Sequence, residues 1–151
     1  MIATPLVRAA RAVDLDAVAS IERAAFDEPW PREVFAALLD APAFLVAETD
    51  QTVSGFVVGT LESCADGPCG HLKDLAVAPP ARRAGVGRRL CRVATDRLHR
   101  AGAPVVGLEV RPTNEAAIGC YRAVGYRRSG REPGYYDDGE DALLFVHRRS
   151  G

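Results

Sequence analysis

Apolar and polar positions along this chain change period several times, and each change marks an element. Leu6 to Ala10 reads as a short strand, and after Asp14 the apolar positions Leu15, Val18, Ile21 and Ala25 fall on one side of a helix. Asp14 is expected to cap that helix, which ends near Phe26. Pro31 suits the first position of a second helix carrying Val34, Phe35, Leu38 and Leu39. Two β-rich runs follow, Ala43 to Glu48 and Val53 to Leu61, joined by Thr49-Asp50-Gln51-Thr52 as a hairpin. Glu62 to Gly70 reads as a loop. The strand from His71 to Val77 comes next, ended by Pro79 and Pro80, which donate no ladder hydrogen bond.

The clearest helical pattern starts at Val86 and repeats at Leu90, Val93, Ala94, Leu98 and Ala101, with Arg88, Arg89, Arg92 and Arg100 on the other face. Gly102 stops it, and Val105 to Arg111 forms the next strand. Asn114 then caps a helix through Ala117, Ile118, Tyr121 and Val124 that stops at Gly125. Two final strands, about Tyr126 to Arg131 and Ala142 to Arg148, are linked by a segment whose Asp138-Gly139 is a turn signal. Strand, turn, helix and strand in succession make a crossover, so His71–Val77 and Val105–Arg111 are expected to run parallel. The pattern predicts an α/β fold, one domain over residues 1–151, with a mixed sheet of about seven strands and helices on both faces.

With 48% hydrophobic and 26% charged residues the chain is an ordinary globular sequence, which excludes disorder. It has no apolar run of spanning length, and MIATPLVRAARAV lacks a signal-peptide core, so a cytoplasmic protein with no membrane partner is expected. A net charge of −1 provides no global field for nucleic acid, although basic residues gather between Arg82 and Arg100, where a local polyanion would be held. Cys64, Cys69, Cys91 and Cys120 lack zinc spacing, and His71, His99 and His147 are scattered, so no metal is expected. Cys64 and Cys69 flank a short loop and could approach one another, but free thiols are expected in this compartment.

Two readings are open for Gly85 and Gly87. They simply begin the helix, or they let an anion approach backbone N–H groups at its positive end. Alternation along Val105–Arg111 puts Glu109 in mid-sheet, either as a carboxyl whose pKa burial raises toward that of a general base or as the salt-bridge partner of Arg111. Tyr121 is either a core phenol or a proton donor to a leaving group. Phe26 and Trp30 bracket a loop between helices, where aromatic side chains either pack or meet a ligand.

The arrangement R-x-x-G-x-G at Arg82, Gly85 and Gly87, directly after the strand Leu75-Ala76-Val77, resembles the acetyl-coenzyme A signature of the GCN5-related N-acetyltransferases. The run LEVRPTNEAAIGCYRAVGY followed by YYDDGEDAL is similar to the branch that acetylates protein N-termini, the ribosomal-protein alanine N-acetyltransferases. The resemblance implies acetyl-CoA as co-substrate, direct transfer in a ternary complex between two splayed parallel strands, and a protein or peptide N-terminus as acceptor, that of a ribosomal protein among the candidates. It further implies Glu109 as base and Tyr121 as acid. Leu75, Ala76 and Val77 would present backbone to the acetyl and pantetheine portions, and Arg82, Arg83, Ala84, Gly85, Val86, Gly87 and Arg88 would form the diphosphate loop. Asn114 would hold the pantetheine arm, and Phe26, Trp30, Tyr135 and Tyr136 would wall the acceptor groove. Relatives that act on small amines often carry their carboxylate on the strand before the glycine loop, which makes Asp74 the reserve base. A small-molecule amine acetyltransferase and a non-catalytic coenzyme A-binding module are the competing functions. An α-amino group, with a pKa of ~7.7–8.0 against ~10.4 for lysine, is the easier nucleophile near neutrality.

Overall fold

The structure is a computed structural model that describes residues 4–150. Its strands are β1 (Leu6–Ala9), β2 (Ala43–Thr49), β3 (Thr52–Cys64), β4 (Gly67–Val77), β5 (Val105–Val110), β6 (Arg127–Glu132) and β7 (Ala142–Arg148), in the sheet order β1-β2-β3-β4-β5-β7-β6. The helices are α1 (Leu15–Ala25), α2 (Arg32–Ala37), α3 (Val86–Arg100) and α4 (Glu115–Val124). Every neighbouring strand pair is antiparallel except β4 and β5, the two that flank the α3 crossover. No helix among the described residues is long and apolar enough to cross a membrane.

Helices cover both faces. Val86, Leu90, Cys91, Ala94 and Leu98 of α3 pack on Leu45, Val57, Leu72, Val106 and Leu108, and Tyr121 of α4 joins them. On the opposite face Leu15, Val18 and Ile21 of α1 and Phe35 of α2 pack on Phe44, Val46, Phe56, Val58 and Ala76. The expected alternation of β5 holds, with Val106, Leu108 and Val110 buried toward α3 and Glu109 turned the other way. Pro31 stands one residue outside α2 as its N-cap rather than inside it.

Three local expectations change. Asp14 precedes α1 but does not cap it with its side chain; its carboxylate takes Arg8 Nη1 and Nη2 at 2.8 and 2.9 Å and the Arg11 N–H at 2.8 Å, because a guanidinium outcompetes a helix amide for a carboxylate. The stretch read as a loop from Glu62 is instead a continuation of the β3–β4 hairpin, with Glu62 opposite Cys69 and Cys64 opposite Gly67. That register puts the two cysteines two rungs apart on the same face of the hairpin, diagonal to each other, and Cys64 and Cys69 are joined by a disulfide, Cα atoms 5.9 Å apart, where free thiols were expected. The β2–β3 hairpin does turn at Asp50 and Gln51, both left-handed at φ 51° and 66°, which is the two-residue turn that matches strand twist.

Candidate active site

The parallel pair β4–β5 is the point at which the sheet opens. The two strands pair only at Gly70–Val106 and His71–Gly107. Beyond His71, β4 continues to Val77 along β3, while β5 continues to Val110 along β7, so a gap opens between Asp74–Val77 and Glu109–Val110. The Ala78 N–H donates to Ser54 O, so by antiparallel alternation Ala76 also faces β3, and the N–H groups of Leu75 and Val77 face the gap. The Leu75 N–H is taken by its neighbour Asp74 Oδ1 at 2.9 Å.

Beyond the gap lies the glycine loop. Arg83 and Gly85 are left-handed at φ 68° and 80°, and the first helical bond, from the Arg89 N–H to Gly85 O, leaves the N–H groups of Val86, Gly87 and Arg88 without intrahelical partners. Gly85 has open space where a Cβ would stand. A Cβ on Gly87 would lie 3.4 Å from Val77 Cγ2 and 3.8 Å from Cys120 Sγ, so its absence bares the backbone between β4 and α4. Arg83, Ala84 and Arg88 are exposed, whereas the side chains of Ala76 and Val86 are buried, so those two can offer a ligand only backbone. Arg82 bends back instead, its Nε donating to Val77 O at 3.1 Å, and so shapes the turn. The loop fits a diphosphate: bare amides at a helix N-terminus, rimmed by arginines.

On the α1–α2 face of the gap, Glu109 Oε1 accepts from His71 Nε2 at 2.7 Å and from the Tyr135 hydroxyl at 3.1 Å. His71 Nδ1 meets Glu62 Oε1 at 2.9 Å, and Lys73 Nζ lies 3.1 Å from the same oxygen. Burial pushes the Glu109 carboxyl up, but the bonds from His71 and Tyr135 outweigh it and hold the group below its ordinary value, which overturns the expected upward shift. The raised pKa sits on His71 instead, lifted first by Glu109, opposed by burial, and helped by Glu62. Arg111 does not pair with Glu109. It binds Asp138 at 2.9 Å and Glu140 at 2.7 Å and lies 3.9 Å over the Tyr136 ring. Sequence reasoning missed His71 and Glu62, because only the register of the β4–β5 pairing brings His71 beside Glu109.

Tyr121 approaches from the α4 face. It is buried, its ring 5.9 Å from that of Tyr126, and burial raises its pKa well above 10. Among the described residues its hydroxyl makes no hydrogen bond, and Cys91, Cys120 and then Asp74 are the ionisable groups that act on the phenol. Tyr121 and Glu109 therefore do not touch; they flank the gap from opposite faces. Asn114 caps α4, its Oδ1 accepting from the Ala117 N–H at 3.2 Å, and remains exposed. Phe26 and Trp30 are half-buried against the α1–α2 core, Trp30 5.5 Å from Phe35, whereas Tyr135 is 46% exposed and reaches the site through Glu109.

The sequence profile of the acetyltransferase (GNAT) family matches residues 15–126. An N-alpha-acetyltransferase of Sulfurisphaera tokodaii is 34% identical, covering 93% of this chain and 90% of that protein. The [ribosomal protein bS18]-alanine N-acetyltransferase of Escherichia coli is 30% identical over 88% of this chain and 90% of its own length. Among solved structures, Naa20 of Chaetomium thermophilum in complex with a bisubstrate analogue superimposes with a TM-score of 0.84 at 30% identity, covering 95% of this chain and 86% of that one.

Proposed function

Because this chain belongs to the acetyltransferase (GNAT) family and is an N-acetyltransferase, we propose that it transfers acetyl from acetyl-CoA to the α-amino group of a protein N-terminus. The observation that supports the reading best is the gap itself: two parallel strands part after two residue pairs, with an acid–base cluster on one face and a phenol on the other. The co-substrate supplies a thioester as acyl donor. The loop at Arg83–Arg88 would hold its diphosphate, Asn114 the pantetheine arm, and the free Val77 N–H would donate to the carbonyl oxygen as negative charge develops there, a donor worth roughly 3 kcal/mol in other enzymes.

A new N–C bond forms as the C–S bond breaks, and one proton must leave the amine while another meets the sulfur. Glu109 alone is a weak acceptor, since its partners depress its pKa. The His71–Glu109 pair is a better one: with His71 neutral and its one proton on Nδ1 toward Glu62, Nε2 is open, and a proton taken by Glu109 passes to that nitrogen of a histidine whose pKa is raised above 6.5. Tyr121, kept protonated by burial, offers its hydroxyl to the departing sulfur. Phe26, Trp30, Tyr135 and Tyr136 wall the acceptor side. Names of relatives that act on N-termini support a protein acceptor, and those of ribosomal-protein enzymes support a ribosomal protein among the targets.

Mass spectrometry of an N-terminal peptide library incubated with enzyme and acetyl-CoA, beside polyamines and aminoglycosides, tests the reading. Acetylation of peptide α-amines is expected. Turnover confined to the small amines would overturn it.

A further inference from the structure

A second acid cluster lies on the same face of the sheet, on the other side of the gap. Glu22, near the end of α1, is 2% exposed; its Oε2 accepts the Trp30 backbone N–H at 2.9 Å, and its Oε1 is buried without a partner. Asp74 stands where β4 has left β5, and while its Oδ1 takes the Leu75 N–H, its Oδ2 is likewise buried without a partner. The two unmet oxygens belong to carboxyl groups within hydrogen-bonding reach of each other. Burial, and then the closeness of Glu22, push Asp74 up to about 9, so at neutral pH it carries a proton. The other titratable group facing Asp74 is Tyr121 of α4, itself protonated. From β3, β4 and the α1–α2 loop no lysine, arginine or histidine among the described residues forms an ion pair with either acid; Lys73, next in sequence, turns to Glu62.

We propose that Glu22 and Asp74 share one proton and act as a positioning pair, a clamp that ties the Trp30 loop on the acceptor side to the Leu75–Val77 segment of β4. The inference rests on the reading of the gap as the place of acetyl transfer. With the proton in place, the Asp74 carboxyl donates to Glu22, and an unbroken run joins the Trp30 amide to the Leu75 amide. Without it, two carboxylates face each other in a buried site with no counter-charge, and the loop is pushed away from the strand. On this proposal Asp74, protonated at neutral pH, acts as a positioning residue rather than as the reserve base.

Trp30 is the sole tryptophan of the chain and reports on the clamp without any turnover. Its fluorescence, followed from neutral pH to about pH 10 in the wild type, Asp74→Asn and Glu22→Gln, tests the proposal. The wild type is expected to show a transition near pH 9, with the KM for a peptide rising through the same range while the KM for acetyl-CoA stays level. Asp74→Asn, which keeps a hydrogen bond between the two positions but has no proton to lose, should show neither change, and Glu22→Gln, which removes the facing acid but leaves the buried Asp74 carboxyl, should move both changes to lower pH. A wild type without the transition, or both variants with it unaltered, would overturn the clamp, and so would a kcat at neutral pH that falls by about a hundredfold or more in Asp74→Asn, which is the signature of a general base. If no peptide is acetylated at all, the functional reading fails while the fluorescence still judges the clamp.

Discussion

Glu109 on β5 and Asp74 on β4 face the same side of the sheet across the gap, and both are withdrawn from bulk water, yet their pKa values move in opposite directions. For Glu109 the partner within hydrogen-bonding distance is His71, and the carboxyl is held low. For Asp74 the neighbour is another carboxyl, and the group is held up to about 9. Burial acts upward on both, so the neighbour decides the sign. The consequence is a division of labour: the cluster that contains a histidine can exchange a proton near neutrality, and the cluster of two acids can only keep one.

The largest expected break in this comparison comes from Glu109→Gln, which should lower kcat by ~10²–10⁴ while leaving coenzyme A affinity, measured by calorimetry, unchanged. An equal loss in Asp74→Asn would erase the distinction between the clusters. Tyr121→Phe keeps the ring packed against Tyr126 and removes only the hydroxyl; a lost hydrogen bond of ~1–1.5 kcal/mol corresponds to a kcat about tenfold lower, read in steady-state assays. Gly85→Ala touches neither cluster. It places a Cβ on a left-handed residue, and thermal melts should show a stability loss of ~1–2 kcal/mol together with weaker coenzyme A binding and little change in kcat. The smallest effect is spectroscopic. By NMR titration His71 should titrate above 6.5, lifted by Glu109, and His147 below it, lowered by burial and by His99, whose Nε2 is 2.9 Å from its Nδ1. The signs follow by linkage: the His71 contribution to stability is complete below 6.5 and fades as pH rises through its raised value, whereas the His147 contribution is present above 6.5 and fades as pH falls.

Much of this was legible in the chain. Among the described residues, the apolar patterning and turn signals located the four helices and the seven strands, and the strand–turn–helix–strand order required the parallel pair where the sheet opens. Arg82, Gly85 and Gly87 marked the loop through the resemblance their spacing carries, and of the three only Gly85 takes the left-handed conformation that needs a glycine. What did not show were relations between distant segments. That Glu109 meets His71 rather than Arg111 depends on cross-strand register and on Asp138 and Glu140 claiming the arginine. Glu22 looked like any polar residue of an amphipathic helix, and only its place over β4 makes it a partner of Asp74. The Glu62–Gly70 segment, with its glycines and proline, gave turn signals that the hairpin register overrode.

On the proposed mechanism the His71–Glu109 pair, rather than an isolated carboxylate, takes the proton of the amine. The pH dependence of kcat in the wild type and in His71→Gln, with one N-terminal peptide at saturating acetyl-CoA, tests it most directly. The wild type should show kcat rising with pH through a group above 6.5, and in the variant that rise should be lost or moved to the acid side. The same rise at the same pH in both enzymes would contradict the account.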